Sequence, residues 1–365
     1  MPTIGMPKVK IAFESAGLTA IQRSETGIVL LLIKGAKPEE MGSYKFTSLI
    51  DLPEDVQFSE ETIKLIKLGY EAHPRRMLVE VYGDNNPLKQ VLAKLQLMKF
   101  NYYAAPNATE DEIDTIKSWH MQIVKEKDKT IKFVGFDYEA DHETVINWST
   151  PRIVYDDKEY TGQESTALIA SQLAALPLTR SFTYFSWPLL TDADLPYAED
   201  EDKAVNEGRL FLTYNGEKYK IARGVNSLTT YNARKGEDFS KIKIVDSMHL
   251  IKDDIRDTWN EFYVGKILNT YENKMQFIAL INRVYFVELR NTVLENSDRN
   301  KVDIDVAANM RYAIKREAKV DEMTNQQIRE FNTGSNVFLE GYVSMLDAME
   351  DLYINFWNCL LYTSD

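Results

Sequence analysis

The chain has 365 residues, of which 44% are hydrophobic and 27% are charged, and its formal net charge is −13. This composition is typical of a globular protein with two or three compact units and excludes a wholly disordered chain. The acidic balance argues against nucleic-acid binding, the single cysteine (Cys359) excludes a disulfide framework, and no apolar run approaches the roughly 20 residues that span a bilayer.

An alternating segment lies near the start of the chain. Val9, Ile11 and Phe13 share one face over residues 8–13, which is the period-two pattern of a half-buried strand. Because a single strand is not stable alone, it must pair with something. We therefore predict that residues 1–25 form an arm. The opening residues lack the long apolar core of a secretory signal, so we expect no export by that route.

Residues 26–245 alternate between strand and helix patterns. Strand patterns occupy residues 28–33, 77–82, 100–104 and 131–135. There are four helical patterns: the first begins after Ser59, the second covers 88–95, the third begins at the capping box Thr109-x-x-Glu112, and the fourth covers 162–176. Asn215-Gly216 predicts a hairpin between residues 209–214 and 218–223. This order predicts an α/β fold in which the middle domain has a mixed, mostly parallel sheet with helices on both faces. We divide it into a small α/β domain (26–98) and a middle domain (99–245).

The pattern becomes helical after residue 246. Apolar residues recur at three- and four-residue steps, as in Met248, Ile251, Ile255, Trp259 and Phe262, and again in Ile278, Ile281, Tyr285 and Leu289. We predict a helical C-terminal domain over 246–346, which makes the fold α+β overall. Residues 336–346 and 351–357 are strand-like, and Leu352, Ile354 and Phe356 alternate. Residues 347–358 are therefore predicted to be a second arm.

The last residues have an unusual sequence. CLLYTS at 359–364 matches the translation of an adapter used to prepare sequencing libraries. We expect residues 359–365 not to belong to the native protein, in which case the native end lies at Asn358 or beyond it. The alternative is a natural frayed tail.

The sequence contains no recognisable catalytic or binding motif. The four histidines are widely spaced, and there is no Gly-x-Ser-x-Gly elbow, phosphate loop or Gly-x-Gly-x-x-Gly. His120 lies on an apolar helix face, where a packed core histidine is expected rather than a ligand. We therefore expect no catalytic residue, cofactor or metal.

Several strings resemble the tail sheath proteins of contractile phages, of the compact type found in Gram-positive phages, defective prophages and phage-tail bacteriocins. These are ARGVNSLTT at 222–230, KIKIVD at 241–246, DDIRDT at 253–258, YVGKI at 263–267, LDAMED at 346–351, and GMP and TAIQRSETG at 5–7 and 19–27. The resemblance covers residues 3–357. It implies a subtilisin-like but non-catalytic middle domain, since fold does not confer function.

The resemblance also implies a structural role in a virion. Family members form stacked hexameric rings around a tail tube, bind tube, terminator and baseplate proteins, and contract to drive the tube through the target envelope. Such a protein assembles in the cytoplasm of the host bacterium. It binds no nucleic acid and is not inserted in a membrane. The parent particle, whether an intact phage, a headless bacteriocin or an injection system, stays open.

The resemblance also assigns candidate contact residues. Family subunits are linked by terminal arms that add strands to sheets of neighbours. We expect Val9, Ile11, Phe13, Leu352, Ile354 and Phe356 to bind in trans, with Val337, Leu339 and Val343 on the receiving strand. The alternative is pairing within one subunit. The C-terminal domain should face the tube, with Lys315, Arg316 and Lys319 as candidate contacts or as a solvated helix face.

The sequence leaves two other classes of protein as alternatives. The first is an α/β hydrolase-like enzyme whose site is scattered in sequence. The second is a nucleotide-binding α/β protein, which the absence of a glycine fingerprint after a strand disfavours.

Overall fold

A computed structural model describes residues 21, 23, 26–53 and 55–356. The chain divides into two compact units. We call residues 26–253 with 345–356 the α/β unit, and Asp254–Ser344 with residues 21 and 23 the helical unit. Among the helices of these residues, none combines the length and apolar character needed to cross a bilayer.

A seven-stranded sheet forms the centre of the α/β unit. Its strands are β1 (Ile28–Lys34), β2 (Gly42–Phe46), β3 (Arg76–Tyr82), β4 (Tyr102–Ala104), β5 (Lys132–Phe136), β6 (Val145–Trp148) and β10 (Arg209–Leu210). Their order is β10-β6-β5-β4-β1-β3-β2, and every pair is parallel except β2 with β3 at one edge. The prediction of a mixed, mostly parallel sheet is confirmed.

Helices cover both faces of this sheet. The first five α-helices of the α/β unit are α1 (Glu60–Tyr70), α2 (Leu88–Leu95), α3 (Glu110–Lys127), α4 (Gly162–Ala175) and α5 (Glu201–Asn206). Side chains of β1 alternate between two cores, with Val29, Leu31 and Ile33 packed with α1 and α4. Ile28, Leu30 and Leu32 pack with α2 and α3. A strand buried on both faces explains the uninterrupted apolar run of β1.

Two smaller sheets complete the α/β unit. β7 (Arg152–Tyr155), β8 (Lys158–Thr161) and β9 (Leu190–Ala193) form an antiparallel sheet in the order β8-β7-β9. β11 (Leu212–Tyr214) and β12 (Tyr219–Ile221) form the hairpin expected from Asn215-Gly216, and Gly216 takes a left-handed φ of 91°. Short 3₁₀ turns occur at Pro38–Glu40, Leu49–Asp51 and Glu237–Ser240.

The division predicted at residue 98 does not separate two compact units. The strand β4, which follows it, pairs with β1, which precedes it, so that Val29 lies opposite Tyr102. Strands from residues 26–98 and 99–245 therefore share one sheet. The reason is that parallel pairing joins strands that are distant in sequence, which a local pattern does not reveal.

The helical unit contains most of the remaining elements. α6 (Ile242–Phe262) begins in the α/β unit and ends in the helical unit. The others are α7 (Tyr271–Leu280), a π-helical turn (Ile281–Tyr285), α8 (Phe286–Leu289), α9 (Val306–Lys315), a 3₁₀ turn (Val320–Glu322), α10 (Asn325–Glu330), and the strands β13 (Lys301–Ile304) and β14 (Leu339–Tyr342). β13 and β14 form an antiparallel ribbon.

The N-terminus of α4 provides a test of local stability. The Thr161 hydroxyl accepts a hydrogen bond from the Glu164 N–H at 3.2 Å, and the Glu164 carboxylate accepts one from the Thr161 N–H at 2.8 Å. Because this capping box satisfies two backbone donors, Thr161→Ala is expected to lower the free energy of unfolding by about 1 kcal/mol. Urea unfolding measures the change. Thr115→Ala, inside α3, is the control and should change it by less than about 0.5 kcal/mol; equal effects would exclude the cap.

Candidate assembly surfaces

The β13–β14 ribbon has one open edge. Val302 lies opposite Gly341, and Ile304 lies opposite Leu339. The Asn282 side chain covers the outer edge of β13, because it donates to the Val302 carbonyl and accepts from the Val302 N–H, both at 2.8 Å. Hydrogen-bonded and non-hydrogen-bonded pairs alternate in an antiparallel ribbon, so Gly341 and Leu339 also direct their backbone groups outward. Within the described residues, no strand pairs with this outer edge, which we call the β14 edge.

The predicted receiving residues lie on or next to this edge. Leu339 is the first residue of β14, Val337 precedes the strand, and Val343 follows it directly. Val337 and Leu339 are half-buried, whereas the Val343 side chain is 42% exposed. They are two and four residues apart, which is the even spacing of residues on one strand face. Their role in binding another copy stays a prediction.

Among residues 21, 23, 26–53 and 55–356, no strand pairs with the predicted C-terminal strand. Residues 351–356 belong to no helix or strand. The exposed fractions of Leu352, Ile354 and Phe356 are 81%, 56% and 90%. Three large apolar side chains in water are costly unless another surface covers them. Val9, Ile11 and Phe13 lie outside the described residues.

The basic run lies at the C-terminal end of α9. Lys315 is the last residue of α9, and both Lys315 and Arg316 are exposed. The Arg316 guanidinium donates to the Tyr312 hydroxyl at 3.1 Å, and Lys319 forms an exposed ion pair with Glu322 at 3.3 Å. The three cations are thus available at one solvent-facing helix end.

A buried ionic cluster joins residue 23 to the helical unit. The Asp254 carboxylate, which is fully buried, accepts hydrogen bonds from Arg23 at 3.0 Å and from the Tyr285 hydroxyl at 2.7 Å. The Arg23 guanidinium lies 5.3 Å from the centre of the Tyr285 ring. Burial, with Asp254 beside it, raises the pKa of Tyr285 well above its usual range. Sequence reasoning missed this cluster, because Arg23 and Asp254 are 231 residues apart and share no pattern.

A cavity of about 440 Å³ lies at the amino ends of the parallel strands in the α/β unit. Its wall contains a buried ion pair between Lys132 and Asp246 at 2.7 Å, and the Thr130 hydroxyl donates directly to Asp253 at 2.6 Å. Among the described residues, no group of three or more His, Cys, Asp or Glu side chains could hold a metal ion.

His120 is a packed core residue. Its ring is 1% exposed, and Nε2 lies 2.8 Å from the Thr144 hydroxyl, which in turn lies 2.8 Å from Nδ1 of His142. Burial, reinforced by His142, lowers the pKa of His120 to about 3. The imidazole is therefore neutral at physiological pH and contributes to packing.

Comparison with known proteins identifies the family. No protein-family model matches the chain. The tail sheath protein of Clostridium phage phiCD119 is 34% identical over 359 residues, which cover 96% of this chain and 98% of that protein. A sheath tail protein from Desulfitobacterium hafniense superposes with a TM-score of 0.65 at 16% identity, over 82% of this chain and 94% of that one.

A further similarity covers nearly the whole chain. The helical sheath of the anti-feeding prophage, solved in its contracted state, superposes with a TM-score of 0.70 at 11% identity, over 98% of this chain and all of that one. The likeness to the two solved structures shows the fold, and the identity to the phage protein shows the family. The chain belongs to the tail sheath protein family, and it is a particle-associated structural subunit of a contractile sheath rather than an enzyme.

Proposed function

We propose that the subunit polymerises as hexameric rings stacked around a tail tube, and that the stack shortens to drive the tube through the target envelope. Its partners are then other copies of itself, the tube protein, and baseplate and terminator proteins, with no nucleic acid and no membrane insertion. Assembly takes place in the host cytoplasm. Membership of the sheath family supports this proposal.

Two observations on the described residues support the linking mechanism: the β14 edge pairs with no strand there, and the alternating run 352–356 belongs to no strand. A strand that adds to a sheet edge gains main-chain hydrogen bonds, and its alternate side chains enter pockets that fix the register. We propose that the arms, residues 1–25 and 347–358, bind in trans to the β14 edge. Val9, Ile11 and Phe13 of one arm, and Leu352, Ile354 and Phe356 of the other, would supply the apolar faces.

The energies involved favour a strong but adaptable link. Each main-chain hydrogen bond contributes about 0.5–1.5 kcal/mol, and burial of each large aliphatic side chain contributes about 1.5–3 kcal/mol. An arm of five residues can therefore hold two subunits together. Because it grips only a strand edge, the globular bodies can rotate while the link stays intact, as a contracting lattice requires.

The helical domain, residues 246–346, is proposed to face the tube. Lys315, Arg316 and Lys319 would then face carboxylates of the tube protein. Exposed ion pairs are worth only about 0–1 kcal/mol each. Weak contacts that are repeated along the tube would hold it before contraction and release it afterwards. The alternative, that these residues are a solvated helix end, predicts no effect of their substitution on tube binding.

Ile354→Asp is expected to abolish polymerisation while leaving the monomer folded. In the proposed link Ile354 enters a pocket, where an unpaired carboxylate would be strongly disfavoured. In the single chain the side chain is 56% exposed, so its replacement removes little packing. Sedimentation velocity and electron microscopy measure the polymer, and thermal unfolding checks the fold.

The matched control is Tyr353→Asp. Tyr353 is 92% exposed and lies on the opposite face of the alternating run, so this variant should still polymerise. Deletion of residues 1–15, or Ile11→Asp, tests the other arm and should give soluble monomers. Polymers of normal length from Ile354→Asp and from the deletion variant would refute strand exchange in trans.

A further inference from the structure

The chain between β14 and the exposed C-terminal run is bound to the α/β unit by a set of charged contacts. The Asp347 carboxylate accepts from Lys241 Nζ at 2.5 Å, and the Lys243 ammonium donates to the Leu346 carbonyl. The Arg223 guanidinium donates through Nη2 to Asp351 at 2.6 Å. Three of the strings that carry the family resemblance, at 222–230, 241–246 and 346–351, therefore meet at one place on the surface.

Glu350 is the most enclosed carboxylate of this set. Its Oε1 accepts from the Ser181 hydroxyl at 2.6 Å and from the Thr183 hydroxyl at 2.7 Å, and its Oε2 accepts from Arg223 Nε at 3.2 Å. The Glu350 side chain is only 12% exposed. Both carboxylate oxygens are satisfied by partners far away in sequence.

The two loops that bind Glu350 are held in place by further contacts with each other and with the core. Gly224 donates its N–H to the Thr183 hydroxyl at 2.9 Å, which holds the Arg223 and Thr183 loops together. A Cβ at Gly224 would lie 3.2 Å from the Thr183 nitrogen and 3.3 Å from the Phe182 Cβ, so glycine permits this approach. Phe182, between the two hydroxyl residues, is 1% exposed and fixes the loop to the core.

The contacts end where the exposed run begins. Asp351 is the last anchored residue, and the apolar side chains from Leu352 onward are exposed. Asp347 raises the pKa of Lys241, and Asp351 raises that of Arg223, as expected for cations held beside carboxylates.

We propose that Glu350 is a positioning residue, which together with Asp347 and Asp351 forms a clasp that fastens the root of the C-terminal arm to the α/β unit. The clasp consists of these three carboxylates and their partners Lys241, Arg223, Ser181 and Thr183. By fixing the point at which the arm departs, it presents the run 352–356 to a second copy of the chain. This last consequence rests on the proposed function; the clasp itself does not.

The chemistry predicts which changes open the clasp. Glu350→Gln keeps the shape but leaves one carbonyl oxygen for two hydroxyl donors and directs an amide N–H₂ toward the guanidinium. Charged hydrogen bonds to the partly buried carboxylate are then lost. High ionic strength should loosen the unaltered clasp through its more exposed ion pairs, Lys241–Asp347 and Arg223–Asp351, because about 1 M salt reduces the screening length to about 3 Å.

Distance measurement between two spin labels tests the clasp on the full chain. The labels are placed at Met349→Cys and Glu217→Cys, both exposed and both in the α/β unit, in a Cys359→Ser background. We expect a narrow distance distribution, and we expect Glu350→Gln to abolish the narrow peak. Asp298→Asn, which neutralises a fully exposed carboxylate of another ion pair, is the matched control and should leave it intact.

The spin-label test has a substitute measurement for a variant that does not fold, and an outcome that would overturn the clasp. If Glu350→Gln does not fold, salt titration of the labelled protein with its clasp unaltered replaces it, and loss of the narrow peak by about 1 M NaCl is expected. A peak as narrow as in the control, in the variant or at high salt, would overturn the clasp.

Polymerisation then separates the clasp from the sheath function. A loosened root leaves the arm correctly placed for only a fraction of the time, so Glu350→Gln should need about tenfold more protein to polymerise than the control. An open clasp with unchanged polymerisation would refute the positioning role and leave the sheath function standing. Failure of the unaltered chain to polymerise with its tube would refute the sheath function and leave the spin-label result valid.

Discussion

Lys132→Met is expected to lower the free energy of unfolding by about 3–5 kcal/mol, because it breaks a buried ion pair. Lys132 Nζ lies 2.7 Å from Asp246 Oδ1, and the lysine side chain is only 4% exposed. The Tyr102 hydroxyl also donates to Asp246, at 2.9 Å. Methionine preserves most of the apolar stem but leaves the carboxylate, whose side chain is 15% exposed, with one neutral donor.

Urea unfolding of the two proteins measures this difference. Lys117→Met is the matched control, since Lys117 forms an exposed ion pair with Asp114 at 3.7 Å; it should cost less than about 1 kcal/mol. Adding Asp246→Leu to Lys132→Met should restore part of the loss, because the uncompensated charge disappears. Equal effects of the Lys132 and Lys117 substitutions would contradict the buried pair.

His120→Gln is expected to make the protein less sensitive to acid. Burial lowers the pKa of His120 from 6.5 to about 3 in the folded state. Between these values the unfolded chain binds a proton that the folded chain does not, so stability rises with pH in this window. The stability that the neutral His120 contributes is fully present above pH 6.5 and is lost as the pH falls. At pH 4.5 the loss in the free energy of unfolding is about 3 kcal/mol.

The measurement is the difference in unfolding free energy between pH 7 and pH 4.5. Glutamine can keep a hydrogen bond to Thr144 but does not titrate, so the difference should shrink by about 3 kcal/mol relative to the unsubstituted protein. Burial also lowers the pKa of His142, which is present in both proteins. His73→Gln, at an exposed position, is the control. If the free energy of unfolding had the same pH dependence in both variants and in the unsubstituted protein, a neutral, buried His120 would be contradicted.

Local elements of the fold could be predicted because local chemistry determines them. The capping box predicted at Thr109 is present, with the Glu112 carboxylate accepting from the Thr109 N–H at 2.8 Å, and α3 begins at the next residue. Asn215-Gly216 forms its hairpin, since glycine tolerates the left-handed conformation that the turn requires. The run of Ile278, Ile281, Tyr285 and Leu289 is helical, although a π-helical turn interrupts it at Ile281–Tyr285.

Contacts between distant segments could not be predicted in this way. Arg223 and Glu350 are 127 residues apart, and neither lies in a periodic pattern that points to the other. The alternation of Leu352, Ile354 and Phe356 shows that this run suits a strand, but not what it pairs with. A strand forms only when its backbone groups find a partner, and in the described part of one chain this run has none.

The most direct test of the account is electron microscopy of the purified chain ending at Asn358, alone and co-produced with its tube protein. Hollow cylinders or stacked rings of six subunits are expected, and the Ile354→Asp variant is expected to give monomers instead. Monomers that neither self-associate nor bind the tube would contradict it.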